Sequence, residues 1–367
     1  MIRKKYSINI DRFDLLLFAL LCLFLYSAVL SQDKLRAGIE YAGIFYLFCV
    51  YYTAKQLNAR MGLWWRVLIF WALIAFVVSM VGIFGYFGTV LGNWQNPFVK
   101  KYLFGSFLGP RLTSTFTNPN MLASYLHIGL IFGVILLKRA QELKQRTVCS
   151  YVLIIACLTA CILAKTRVLA GILFSLSLIL FRFQPQKSRL LLWCRRIIPA
   201  IFVLVVLIVI ANTIWWIFPL DIKINQQVLN VKINLTHFPY YSYDRAALAM
   251  VSDHPVFGVG MGQYNSNLKK YIEKKELINS FHLAYPECEI GEDPHTPYIL
   301  KEGCDPHSTY FGWAAETGLA GLCLIISMFL YYCLRMTRYF KKETNGFNKY
   351  VAWCFFAGVC GFLLNGF

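Results

Sequence analysis

One histidine, three arginines, a lysine and a serine stand out as residues able to do chemistry together. His307 follows Asp305-Pro306 and precedes Ser308, at the mouth of an apolar run that carries Glu316, Gly318 and Gly321. An imidazole with an ordinary pKa of about 6.5 accepts a proton from a hydroxyl at neutral pH. Arg111, Arg167 and Arg245 offer planar guanidinium groups, which match phosphate oxygens in pairs and stay charged at any relevant pH. Lys165 stands two residues before Arg167, and cations wedged between apolar runs are costly unless they reach water or an anion. The set suits attack by a hydroxyl against a phosphate-bearing leaving group. His307 would be the general base, and the arginines would hold the departing charge. By position alone, His307 is also accounted for as an interfacial side chain anchoring a helix end, and Arg111 as a loop cation on lipid phosphate.

The elements that must position these groups are membrane helices. Hydrophobic residues make up 58% of the 367 positions, with a mean hydropathy of +0.54. Apolar runs predict helices near 14–31, 37–54, 66–90, 119–137, 148–164, 168–181, 197–217, 309–333 and 350–367. The expected fold is an all-α polytopic integral membrane protein with about nine transmembrane helices. The polar stretch 218–308 is too long for a connector. Three regions follow: membrane helices over 1–217, a large loop over 218–308, and two further membrane helices over 309–367. The first run lacks a small-residue cleavage site and reads as a retained helix.

A net charge of +18 invites a nucleic-acid reading, but the basic residues punctuate the apolar runs instead of forming one face. Of the 36 Lys and Arg residues, 21 fall in alternate segments, among them Lys138, Arg139, Lys144 and Arg146. The positive-inside rule explains that pattern. It puts those segments in the cytoplasm and the 218–308 loop in the periplasm, and it leaves no nucleic-acid partner to explain.

The large loop carries five of the six histidines, together with Cys288 and Cys304, which could pair in an oxidising compartment. Tyr243-Asp244-Arg245 precedes a short helical run ending at Asp253-His254-Pro255. Asp244 as its cap would place Arg245 in the first turn, where free N–H groups favour an anion. Gly258-x-Gly260-x-Gly262 lacks both the preceding strand and the spacing of a dinucleotide site. Cys288, His295, Cys304 and His307 match no common zinc spacing. Asn118-Pro119-Asn120 is a helix-start signal. Lys165-Thr166-Arg167 leaves room only for a tight hairpin. Glu40 reads as an interfacial structural residue, and Glu316 either orients the site or pairs within the bundle.

His307-Ser308, nine residues, Gly318, two residues and Gly321 resembles the signature of the O-antigen ligase and O-antigen polymerase family of bacterial envelope glycosyltransferases. Leu322 stands where the ligases usually have threonine. The stretch from Arg111 to Ala123 resembles the family's Arg-x-x-Gly-Thr-Phe-x-Asn-Pro-Asn, with Ser114 in place of glycine. Thr166-Arg167-Val168 is similar to its Ser-Arg-Gly, and the Arg245 helix followed by His254-Pro255-x-x-Gly258-x-Gly260 resembles its loop motif. The resemblance implies transfer of a glycan from undecaprenyl pyrophosphate to an acceptor hydroxyl at the periplasmic face of the inner membrane. It implies inversion at the anomeric carbon, no metal and no cofactor. His307 and Arg245 would be catalytic, and Arg167, Arg111, Lys165 and Ser308 would bind substrate. Lipid A-core is the expected acceptor, with a growing glycan (O-antigen polymerase) or a protein (protein O-oligosaccharyltransferase) as the alternatives. Members usually carry more helices, so the chain reads as cut short after Phe367. Outside the family the competing classes are a transporter, which tends to show repeats and broken helices, and an envelope sensor or scaffold, which needs no gathered histidine and arginines.

Overall fold

Asp11 starts the first helix. Its carboxylate accepts from the N–H groups of Phe13 (2.9 Å) and Asp14 (3.2 Å), and Asp14 accepts in return from the Asp11 N–H at 2.7 Å. This reciprocal box satisfies donors that a helix start otherwise leaves open. The computed structural model describes residues 10–90, 112–182, 196–204, 222–229, 238–271 and 309–366, with 62–63, 117, 167 and 225–226 excepted. These residues are helical except for connecting turns and a small antiparallel pair, β1 (Ile222–Ile224) and β2 (Gln227–Leu229).

The helices are α1 (Arg12–Leu30), α2 (Lys34–Met61), α3 (Trp64–Val90), α4 (Pro119–Glu142), α5 (Val148–Leu163) and α6 (Val168–Arg182). They continue with α7 (Phe238–Asp253), α8 (Tyr264–Tyr271), α9 (Thr309–Lys342) and α10 (Gly346–Asn365), and residues 196–204 are also helical. Among the described residues α1, α3, α4, α9 and α10 are long and apolar enough to cross a membrane, and α5 and α6 are shorter apolar helices. The chain is a helical membrane protein.

It divides into two units, the first made of 1–61, 212–337 and 366–367. In this unit the α1 cap doubles as a junction. Lys55 of α2 lies 3.2 Å from Asp11 and 2.5 Å from Asp14, and Arg335 of α9 lies 2.5 Å from Asp11. Phe24 and Ala28 of α1, Ala37 of α2 and Met261 form one apolar cluster, and the helices of the large loop form another with Ala315.

The second unit comprises 62–211 and 338–365. Lipid offers helices no hydrophobic reason to associate, so close packing must come from small residues. A Cβ on Gly129 of α4 would stand 2.6 Å from the Ala75 methyl of α3, and one on Gly361 of α10 would collide with α6 at Gly171 and Ser175. Ser175 lies 2.9 Å from His127 Nε2 and from the Ala357 carbonyl, which joins α4, α6 and α10 through buried polar atoms. At the start of α4, Asn118 accepts from the Asn120 N–H at 2.7 Å and Pro119 takes the first helical position, as the sequence signals.

Candidate functional site

Gly318 breaks α9. Its φ of 67° and ψ of −168° belong to a region that side-chain-bearing residues avoid. The run from Thr309 is therefore two helical pieces, not the single uninterrupted helix its apolar pattern predicts. A break in an apolar helix frees backbone groups that hydrocarbon cannot satisfy. The segment after α7 takes them up. Val259 N–H donates to Ala315 O (2.8 Å) and Gly260 N–H to Glu316 O (3.1 Å), while Leu319 N–H donates to Pro255 O (2.8 Å) and Ala320 N–H to Val256 O (3.2 Å). The backbones touch too closely for side chains. A Cβ on Gly258, whose φ is 69°, would overlap the Ala315 and Glu316 backbone, and one on Gly318 would overlap the Val256 carbonyl. The glycine motif dismissed as a nucleotide site is thus half of a backbone clasp, and Gly318 is the other half.

Side chains reinforce the clasp. Ser27 Oγ of α1 donates to Glu316 O at 3.0 Å, and Glu316 Oε1 accepts from the Tyr264 N–H at 3.2 Å. Glu316 so caps the start of α8, where a carboxylate also complements the helix dipole. Its side-chain partner thus belongs to the large loop and not to another membrane helix. Glu40 forms an ion pair with Arg36 at 3.3 Å beside Gly262, where a Cβ would stand 3.3 Å from both side chains. Ser27 and Tyr264 carried no signal in the sequence, since each acts only through a partner hundreds or tens of residues away.

The clasp leads directly into the helix that presents Arg245. Tyr243, Ala246, Ala247 and Met250 of α7 are buried with Tyr264 and Leu268 of α8, a spacing that fills one helix face. Tyr264 Oη donates to the Tyr243 carbonyl at 2.8 Å, and Tyr271 Oη donates to Asp253 at 2.8 Å, so α8 is tied to α7 at both ends. Burial together with that second bond pushes the Tyr271 phenol above its usual pKa. Arg245 lies on the opposite face and is exposed, next to a Leu248 that is also exposed. One expectation needs correction. The helix begins at Phe238, with Pro239 tolerated in its opening turn, so Asp244 does not cap it and Arg245 is beyond the first turn. The helix N-terminus gives Arg245 no help with an anion.

Lys165, the other described cation of the predicted set, belongs to the second unit. It is exposed at the turn between α5 and α6, with a φ of 49° and its N–H donated to Ile162 O at 3.0 Å. Leu112 N–H donates to Leu163 O at 3.2 Å, joining the start of the 112–116 segment to the end of α5. Ser114, the residue in place of the expected glycine, has a φ of 50° and donates its hydroxyl to Val78 O at 2.7 Å. That hydrogen bond offsets the strain of a left-handed serine. His307, Ser308, Arg111 and Arg167 lie outside the described residues, as do Cys288 and Cys304. No protein-family model and no curated protein matches the chain.

Proposed function

We propose that this protein is an O-antigen ligase-like glycosyltransferase of the bacterial inner membrane. It moves a glycan from undecaprenyl pyrophosphate to an acceptor hydroxyl on the periplasmic side, with lipid A-core as acceptor. His307 takes the proton of the attacking hydroxyl as the new bond forms at the anomeric carbon and the bond to pyrophosphate breaks. Arg245, with Arg167, Arg111 and Lys165, stabilises the pyrophosphate that leaves, and Ser308 contacts substrate beside the base.

The observation that carries the reading is the clasp. The two glycine-bearing motifs of the family resemblance, one following Arg245 and the other following His307, are bonded backbone to backbone across residues 255–260 and 315–320. A rigid seam between the segments that end these motifs is what a shared site requires, and Arg245 is exposed on the helix that enters the seam. The broken helix also speaks to the transporter alternative, because transporters use freed backbone groups at such breaks to coordinate substrate. Here the Gly318 break is closed by four backbone bonds, which removes that means of coordination.

Transfer from purified lipid-linked glycan to acceptor, in liposomes with matched protein levels, tests the proposal. His307→Ala abolishes transfer with abundance unchanged. Arg245→Ala cripples it and Arg245→Lys rescues it only in part, because lysine cannot make two parallel hydrogen bonds to a pyrophosphate. Near-normal transfer by His307→Ala overturns the reading. The glycan profile of a deletion strain then distinguishes acceptors: lipid A-core without long chains, single-repeat chains, or an unmodified protein.

A further inference from the structure

The second unit contains a groove of about 710 Å³ that glycan transfer does not use. Its long walls are apolar: Ile69, Leu73 and Phe76 of α3 face Val152 of α5. From Ile69 to Phe76 the α3 wall runs about 10 Å at the helical rise. One end is polar and basic, formed by Arg139 at the end of α4 with Gln145 and Arg146 from the turn into α5. The volume lies within the ~300–1,000 Å³ typical of sites that enclose a small molecule.

Among the described residues, a single carboxylate faces the cations at that end. Glu142 is the nearby carboxylate, and it is shared by Lys138 at 3.5 Å and Arg139 at 3.9 Å. The second distance is too long for a hydrogen bond, so the Arg139 donors are not consumed by it. The Arg139 guanidinium is held over the Phe347 ring, 4.9 Å from its centroid, which fixes its place without neutralising it. Arg146 is exposed and has no ion-pair partner among the described residues. A fixed guanidinium, a second one beside it and an apolar trough are complementary to one ligand shape: a phosphodiester with acyl chains. Basic pockets between helix ends are where anionic lipid headgroups bind.

We propose that this groove is a binding site for a single anionic glycerophospholipid, its phosphate held by Arg139 and Arg146 and an acyl chain laid between α3 and α5. The site is independent of the glycan-transfer reading, since none of its residues belongs to that chemistry. Native mass spectrometry of the detergent-purified chain, titrated with phosphatidylglycerol or phosphatidylcholine, tests it. One phosphatidylglycerol is retained at least tenfold more strongly than phosphatidylcholine. The double variant Arg139→Gln/Arg146→Gln loses that preference, while Lys341→Gln/Lys342→Gln, on exposed lysines at the end of α9, keeps it. Cys149 lines the groove and is exposed, so its alkylation slows with phosphatidylglycerol and not with phosphatidylcholine. A lipid-free melting curve confirms that the double variant is folded, and that control does not involve the ligand. Equal retention of the two lipids, a preference that survives the double substitution, or a second copy of the chain in place of lipid would each overturn the proposal.

Discussion

Glycine does two different jobs in the two units of this chain. At Gly318 and Gly258 it permits a backbone conformation and a backbone-to-backbone seam, and hydrogen bonds then fill the space that side chains vacate. At Gly129 and Gly361 the backbone is ordinary helix, and glycine serves only to let two helices approach. The first use is directional and all-or-none, because a displaced segment loses several hydrogen bonds at once. The second is graded, because helices that separate by a fraction of an ångström lose only dispersion contacts. Membrane proteins need both, but the two fail in different ways.

Gly318→Ala probes the first use and carries the largest expected effect. A Cβ there meets the Val256 carbonyl in a glycine-only conformation, so roughly 3 kcal/mol or more is lost. Abundance in membranes and the melting temperature in detergent should both fall sharply. Glu316→Ala removes the acceptor for the Tyr264 N–H and should cost about 1–3 kcal/mol, with Glu316→Gln milder because its amide oxygen still accepts. If the two variants melt alike, the carboxylate is not acting as a cap. Gly129→Ala, by contrast, adds one methyl against Ala75 and should cost about 1–3 kcal/mol, recovered in part by Ala75→Gly in the same chain. Failure of that rescue would mean the interface is not graded. A double-mutant cycle on Gly318 with Val256→Gly should show no comparable recovery, since the clash is with backbone.

The smallest effect concerns the junction at the α1 cap. Burial alone would raise the Asp11 carboxyl, but hydrogen bonds from Arg335, the Asp14 backbone and Lys55 hold it down to about 2. A folded-state pKa below the unfolded value near ~3.9 contributes stability that is present above that value and lost as pH falls towards about 2. Asp11→Asn should therefore flatten the melting temperature's dependence on pH in that window while changing neutral stability by only about 1 kcal/mol or less. An unchanged pH profile would show that the ion pairs add nothing.

Local signals were legible in the sequence and distant ones were not. Asn118-Pro119-Asn120 specifies its cap within three residues, and the turn at Lys165 follows from the bare spacing of two apolar runs, so both are found where expected. The break at Gly318 is invisible in its own neighbourhood. An apolar run with two glycines is as compatible with a continuous helix, and the hydrogen bonds that make the break affordable come from residues some sixty positions earlier. Asp244 misled for a related reason. It has the chemistry of a cap, but the helix already runs from Phe238, and Tyr243 just before it is packed in the α7–α8 cluster. The Gly258-x-Gly260-x-Gly262 run lacks the spacing of a dinucleotide site, and nothing local announces the backbone partner that it meets instead. Of the proposed site, Arg245 and Lys165 are described and exposed, in different units of the chain.

The clasp has a consequence for how this protein can vary. Residues 255–260 and 315–320 are pinned to each other, so everything between them is a loop closed at a fixed gate. The entropy of closing such a loop grows only with the logarithm of its length, about 0.6 kcal/mol for each doubling. A change in the number of residues inside that loop therefore alters the entropy of closure very little. Lengthening that loop by half should leave the melting temperature in detergent within a few degrees. The seam thus separates the cost of closing this loop from the packing of the helices that it joins.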